Sequence, residues 1–358
     1  MTTGVERAGA APTRSTARDL LGRLSLGRYT GVVLGLVIVL VFLSVTEPVF
    51  LTWGNWQNIF RSQAVYFTLA IGMTFVVLTG GIDLSIASAT AGSAMALGIV
   101  VQSGGDWWLG ALTALGVGLG FGLANGFGIG ILKIPFFVVT LGTLSIYQSI
   151  ALLETNGETV SLFSYPRFNE IQVLVNGTTG PFPTVLLIYG GLYLFCSFVL
   201  RLTAFGRAVF AVGSNAEAAR LTGINVTAVL IAVYTIAGLT AGLGAVVQTG
   251  RLTAAGPQVD PNLLLTVIAA VLIGGNAFTG GDGGLLGTFI GVLFLGVIQN
   301  GLQLSSVTTF WQGTVSGLIL IVAVGLGVLR EHGWRVRVRG LGSWRRSGSA
   351  SPDAGTGS

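Results

Sequence analysis

Of the chain's 358 residues 52% are hydrophobic and 9% charged, where a soluble globular chain carries about a quarter charged residues, so most of the surface must face lipid and an all-α polytopic membrane protein is expected. The net charge of +5 comes from eighteen basic residues, all arginine except Lys133, set mostly in tails and loops, a distribution that reports membrane orientation and no nucleic-acid partner. One cysteine, Cys196, and one histidine, His332, exclude an intrachain disulfide, a Cys/His metal site and a Cys-His nucleophile. There is also no Gly-Lys pair to build a phosphate loop, so any ATP and Mg that drive this protein sit on another chain.

Residues 1–29 carry Arg7, Arg14, Arg18, Arg23 and Arg28 ahead of the first apolar run and read as a cytoplasmic tail, not a cleaved signal peptide. A bilayer crossing takes roughly 20 apolar residues. Ten such runs follow, at 30–46, 62–80, 84–103, 108–131, 134–153, 183–202, 226–248, 263–279, 284–304 and 310–329, making one transmembrane domain over 30–330. Counted from a cytoplasmic N-terminus, they place Lys133, the segment with Arg201, Arg207 and Arg220, and the basic tail 331–358 on the inner side. Both termini are then cytoplasmic. The loop 154–182, with Glu154, Glu158 and Glu170 against Arg167, is external, and its Asn176-Gly177-Thr178 has the form of a glycosylation acceptor. The ends 1–29 and 343–358, rich in Ser, Gly and Arg, read as disordered.

Polar residues inside this apolar chain are informative because they are costly there. Asp83 follows a Gly-Gly break in LTGGIDLSIAS (78–88), and an acid at a helix centre costs roughly 2.5–3.5 kcal/mol on insertion scales. Asp83 is therefore expected at a helix end as an N-cap, with a place in the solute pathway as the other reading, and Asp260 before Pro261 is read alike. Thr140, Thr143, Gln148, Asn276, Gln299 and Asn300 suit either a hydroxylated solute or bonds between helices. Gly118, Gly122, Gly126 and Gly130 recur every fourth residue, and Gly238/Gly242, Gly287/Gly291 and Gly313/Gly317 repeat the spacing that lets helix backbones approach closely.

The stretch AFGRAVFAVGSNAEAARLTGINV (204–226) breaks the apolar pattern between the sixth and seventh runs. Ser214 and Glu217 have capping-box spacing, and Gly223 ends the helix after about two turns. A helix so short must dock on something. Ala216, Ala218 and Ala219 permit close approach, and Glu217 and Arg220 offer charge, so the segment reads as a mechanical handle on the inner face. A faint internal repeat also runs through the chain. An offset of 175 pairs Gly116 with Gly291, Asn125-Gly126 with Asn300-Gly301, Phe136 with Trp311 and Gly142 with Gly317, and an offset of 177 pairs Ile82-Asp83 with Val259-Asp260 and Gly98 with Gly275. The shift spans five crossings, an odd number, so runs 2–5 and 7–10 are expected to be inverted copies.

GGIDLS (80–85), NG (125–126), IPFFVVTLGTLSIY (134–147), TAFGRAVFAVGSNAEAARLTGI (203–224) and IGGNAFTGGDGGLLGT with GVIQNGLQL (273–304) together resemble the permease subunits of ribose/xylose-type ABC sugar importers, over residues 30–330. The resemblance implies two permease subunits around a channel, a cytoplasmic ABC ATPase that binds ATP and Mg, and an extracytoplasmic solute-binding protein, all at a bacterial plasma membrane. It implies an ATPase-coupling role for Gly206, Arg207, Gly213, Ser214, Asn215, Glu217, Ala218, Ala219, Arg220 and Gly223 within 203–224. The pathway candidates are Asp83, Ser85, Asn125, Thr140, Thr143, Asn276, Gln299 and Asn300, with Gly118, Gly122, Gly126, Gly287 and Gly291 as packing positions. Ala87, Ala89 and Asn276-Ala277-Phe278 depart from the family's usual residues. The expected function is import of a small polar solute, a monosaccharide such as a pentose, without covalent chemistry. The alternatives are an ion-coupled secondary transporter, which needs titrating acids in the spans where the candidates thin to Asp83 and Asp260 at helix ends, or the same permease class carrying amino acids, nucleosides or a furanoside signal.

Overall fold

The computed structural model describes residues 26–308, apart from 166, 167, 259 and 261, and scattered helical positions between 311 and 325. The expected tails therefore lie almost wholly outside the described residues, as does most of the run at 310–329. Helix α1 is Leu26–Thr46, starting four residues before its apolar run. It is followed by α2 (Trp53–Ser62), α3 (Ala64–Leu78), α4 (Ile86–Gln102), α5 (Trp107–Gly130) and α6 (Phe136–Leu153). A small excursion of β1 (Val160–Ser161), α7 (Asn169–Asn176), β2 (Thr178–Thr179) and β3 (Phe182–Pro183) leads into α8 (Thr184–Leu202). The chain continues through α9 (Ala204–Ser214), α10 (Ala216–Leu221), α11 (Val226–Leu252), β4 (Ala254–Ala255), α12 (Asn262–Ile273) and α13 (Leu285–Leu304).

Six described helices, α1, α5, α6, α8, α11 and α13, are long and apolar enough to cross a membrane, and the count is seven if α2 and α3, bent by 46° at Gln63, are taken together as one span. The apolar runs expected at 84–103 and 263–279 fold as the shorter helices α4 and α12. The second run is longer than its helix for a local reason. Gly275 takes φ +84°, outside the helical region, and the chain leaves the helix at Ile273. Twelve residues at 1.5 Å each rise about 18 Å, well short of the ~30 Å hydrocarbon core, so α12 reaches only part of the way and residues 274–284 continue as irregular chain, with Gly274, Asn276 and Gly284 buried and Phe278, Thr279 and Asp282 exposed.

Helices α3 and α4 are buried along nearly their whole length, and α11 has 61% of its apolar window inside the protein, against 22% for α5 and 17% for α6. These three are apolar on all sides because all sides are covered. Helix α11 lies at the centre, packed on α3, α4 and α5, while α12 packs on α3 and α13. The outer faces of α1, α5, α6 and α8 expose Ile38, Phe42, Leu119, Phe137, Leu194 and Phe198, as lipid contact requires. Glycine makes the central crossing possible. A Cβ added at Gly118 or Gly122 would fall on the Gly238 or Tyr234 carbonyl of α11, one at Gly126 would lie 2.8 Å from the Ile231 Cα, and one at Gly242 would lie 2.6 Å from the Ala114 carbonyl. At the α12 and α13 crossing, Gly287 meets the Gly274 carbonyl and Gly291 that of Ala270.

The connections sort to two ends of the bundle. At one end β1 pairs antiparallel with β4, Val160 opposite Ala255, and Trp53 Nε1 and Gln57 Nε2 donate to the Pro181 carbonyl at 2.9 and 2.8 Å. At the same end Trp107 donates to Glu170, and Ser305 Oγ to Glu47 at 2.6 Å. At the other end the Gly281 amide donates to the Leu78 carbonyl at 2.9 Å and Thr227 Oγ1 to that of Gly130 at 3.2 Å. Successive connections alternate between the ends, as consecutive crossings must.

Candidate functional site

Three polar constructions stand out in the apolar bundle. The first joins Asp83, Ser85 and Asn125, which are 2%, 0% and 1% exposed. Asp83 Oδ1 accepts from the Ser85 amide at 2.9 Å, from Ser85 Oγ at 2.6 Å and from Asn125 Nδ2 at 3.4 Å. Asn125 Nδ2 also reaches Ser85 Oγ at 2.8 Å, and Tyr147 donates its hydroxyl to Asn125 Oδ1 at 3.2 Å and to the Phe121 carbonyl at 2.9 Å. The Tyr147 ring stacks on Phe121, with centroids 3.8 Å apart, and closes the network from α6. The expectation that Asp83 is an N-cap is corrected: the cap position of α4 is Ser85, and Asp83 holds the turn two residues ahead of that cap. Glycines 80 and 81 end α3 early enough that the carboxylate turns back onto its own chain. Asp260 holds the same turn before α12, accepting from the Asn262 amide at 2.9 Å, but it is exposed.

The second construction is the segment after α8. Thr203 Oγ1 accepts from the Gly206 amide at 3.2 Å and starts α9, which runs to Ser214. Ser214 thus ends one helix instead of starting the next, and its Oγ donates back to the Phe210 carbonyl at 2.9 Å. The capping box is corrected accordingly. Asn215, with extended backbone, is the N-cap of α10, its Oδ1 accepting from the Ala218 amide at 2.9 Å, and Glu217 pairs with Arg220 at 3.0 Å. The reason lies in Gly213: it sits against the Leu78 carbonyl, with the Gly281 amide beside it, in a backbone junction with no space for a Cβ, which keeps residues 213 and 214 wound in α9. Gly223, at φ +87°, closes α10 as expected, with its amide bonded to the Arg220 carbonyl and that of Ile224 to the Ala219 carbonyl. Gly206 and Ala219 face inward; Arg207, Asn215, Glu217, Ala218 and Arg220 are exposed, and Leu221 is 82% exposed.

The third is a cavity of about 250 Å³ at the end of the bundle that carries β1 and β4. Residues 62–66 at the α2/α3 bend, the end of α11, the start of α12 and the end of α13 surround it. Gln299 and Asn300 are among its walls, as are Gln63, Tyr66, Gln248, Arg251, Asp260 and Gln303. Gln63 Nε2 donates to Gln299 Oε1 at 3.1 Å, and Asn300 exchanges two amide bonds with Asn55, at 3.0 and 2.9 Å.

The remaining candidates fall elsewhere. Thr140 Oγ1 and Thr143 Oγ1 bond carbonyls of their own helix, at 2.8 and 3.0 Å, with Thr140 also 3.5 Å from the Ile82 carbonyl beside Asp83. Asn276 ties the irregular 274–284 chain together, donating to the Val271 carbonyl and Thr288 Oγ1 and accepting from the Gly284 amide at 2.7 Å. The cavity residues Gln63, Tyr66 and Gln248 went unread in the sequence. Lone glutamines in apolar runs were the available signal, but nothing in their spacing brings three helices together.

A model of the family described as "Branched-chain amino acid transport system / permease component" matches residues 55–324. The chain is 36% identical to the ribose import permease protein of Bacillus subtilis (strain 168), covering 82% of this chain and 91% of that one. It is 34% identical to the ribose import permease protein of Escherichia coli (strain K12), over 81% of this chain and 91% of that one. It is 32% identical to the L-arabinose ABC transporter permease protein of Azospirillum brasilense, over 88% and 91%. No solved structure matches. With the match extending over most of the chain and taking in all three polar constructions, this multi-pass membrane protein belongs to the family of branched-chain amino acid transport system permease components and is an ABC permease component, a transport subunit without catalytic activity.

Proposed function

We propose that this subunit forms part of a bacterial plasma-membrane importer that carries a monosaccharide, such as a pentose, inward while a separate cytoplasmic ATPase binds ATP and Mg. The observation that carries the reading is the similarity, over more than four-fifths of the chain, to proteins named ribose import and L-arabinose transporter permeases. The geometry supports it with an exposed two-turn helix, α10, at the end of the bundle opposite the polar cavity. Helix α10 buries Ala219 and turns Glu217, Ala218, Arg220 and Leu221 outward. In this reading 203–224 is the coupling segment that the ATPase grips, both termini share its cytoplasmic side, and 154–182 receives an extracytoplasmic solute-binding protein. Gly206 and Gly213 seat the segment, and Arg207, Ser214, Asn215 and Gly223 shape its outward face. The pathway runs past Asp83, Ser85, Asn125, Thr140, Thr143, Asn276, Gln299 and Asn300, completed by a second permease subunit. Spans 2–5 and 7–10 form the inverted pair: α3 touches α12 and α13 while α11 touches the corresponding α4 and α5, and α3 meets α11 between them.

Proteoliposomes holding this permease, its ATPase and its binding protein should take up radiolabelled D-ribose, L-arabinose or D-xylose only with ATP. Uptake of leucine and of none of the sugars would instead select the amino-acid reading, which the description of the family itself favours.

A further inference from the structure

We propose that the cavity between α3, α11, α12 and α13 is a binding site for one small, neutral, polyhydroxylated molecule, held within a single subunit. Gln63 is only 2% exposed, yet its Oε1 has no hydrogen-bond partner among the described residues, and the same is true of Gln248 Oε1 on α11. Both residues line the cavity. A buried amide carbonyl without a donor is costly, and a turn of either terminal amide about its soft last torsion would present its oxygen to an occupant that brings O–H or N–H groups. The backbone holds Gln63 in place for this. Its amide bonds the Ile59 carbonyl and its carbonyl accepts from Phe67, so helical bonding continues on both sides of the bend, while its Nε2 is engaged by Gln299. Gly296 lets the side chain lie flat against α13: a Cβ there would sit 2.5 Å from Gln63 Cγ.

Side-chain amides, those of Gln63, Gln248, Gln299, Asn300 and Gln303, make up most of the polar lining, and amides donate and accept without charge and so match hydroxyl groups of either sense. The charged residues lie at the exposed rim, Arg251 and Asp260, one of each sign, so the rim carries no net charge and the uncharged amides set the match. At about 250 Å³ the cavity is below the ~300–1,000 Å³ of drug-sized ligand sites and holds one molecule of monosaccharide size. The choice of a sugar as the physiological ligand rests on the import reading above; the chemistry of the cavity does not.

The test uses the whole permease in nanodiscs, with Gln303→Cys at the exposed rim in a Cys196→Ser background. Labelling of residue 303 by a membrane-impermeant maleimide should slow in D-ribose, L-arabinose or xylitol and not in D-ribose 5-phosphate or D-glucosamine. Gln63→Leu and Gln248→Leu, each added to that background, should raise the sugar concentration needed for protection by ~10-fold, the effect of losing one hydrogen bond to a buried carbonyl. If Gln63→Leu lowers the melting temperature, Gln248→Leu and the parent carry the decision. Equal labelling with and without the neutral sugars, or undiminished protection in a well-folded Gln248→Leu, overturns the site. Sugar uptake by the assembled importer without protection at residue 303 would overturn this site alone, whereas protection without uptake would overturn the import reading and leave the site standing.

Discussion

Asp83 and Asp260, 177 residues apart in the chain, each accept the amide two residues on at 2.9 Å, yet one is sealed in the protein and the other lies on an open rim. The local sequence sets the turn; the neighbours set its burial. Over Asp83 lie Asn125 of α5 and, behind it, the stacked Tyr147 of α6, which convert an acid into the centre of a closed hydrogen-bond network. Asp260 has Arg251 and the amide-lined cavity beside it instead. The two Asn-Gly pairs divide in the same way. Asn125 serves the Asp83 network, whereas Asn300 pairs with Asn55 and forms part of the cavity wall. The same Asn-Gly pair thus lies in a closed hydrogen-bond network at 125–126 and beside a cavity at 300–301.

The comparison can be broken most severely at Asp83. Asp83→Leu strands the Ser85 amide, Ser85 Oγ and part of the bonding of Asn125 in an apolar setting, at about 1–3 kcal/mol for each orphaned group. A large fall in melting temperature and in monodisperse yield is expected, with Asp83→Asn recovering much of it because it keeps an acceptor. Unchanged melting of the leucine variant would mean that the network contributes no stability.

The next effect in size is at the close crossing of α5 and α11. Gly118→Val pushes against the Gly238 backbone and should cost about 1–3 kcal/mol, whereas Gly116→Val on the same helix meets nothing within 4 Å and should melt like the parent. Equal melting of the two variants in detergent would contradict the close crossing of α5 and α11.

Asp260→Ala should be milder still, about 0.5–1 kcal/mol, since it loses one exposed turn-forming bond and strands no buried group. If it matched Asp83→Leu, burial would not be what separates the two aspartates. Smallest in stability is Glu217→Lys, which breaks an exposed ion pair worth about 0–1 kcal/mol and leaves the melting curve in place. Its consequence belongs to transport: ATP-driven uptake and ATPase co-purification should fall together, and full uptake with the ATPase bound would return α10 to a plain surface helix.

Much of this was legible before any fold. The apolar runs become helices because a backbone in lipid must satisfy its own hydrogen bonds, and Gly223 stops α10 because its left-handed conformation is strained for any residue with a Cβ. The glycine spacings of α5 and α11 foretold a close crossing, since small residues four apart share one helix face. Between Ser214 and Asn215, however, the sequence offers two good caps in a row. Contact of Gly213 with Leu78 and Gly281, residues far away in the chain, extends α9 through Ser214 and leaves the cap to Asn215. In the same way, composition and periodicity determined a polytopic helical protein with a short polar segment between spans 6 and 7. Only the tertiary structure decided that Asp83 is enclosed and Asp260 open, that α12 stops at Ile273, and that Gln63, Gln248 and Gln299 meet around one cavity. The physical reason is range: turns and helix ends are settled by bonds within a few residues, whereas burial and cavities depend on which distant helices the packing brings alongside.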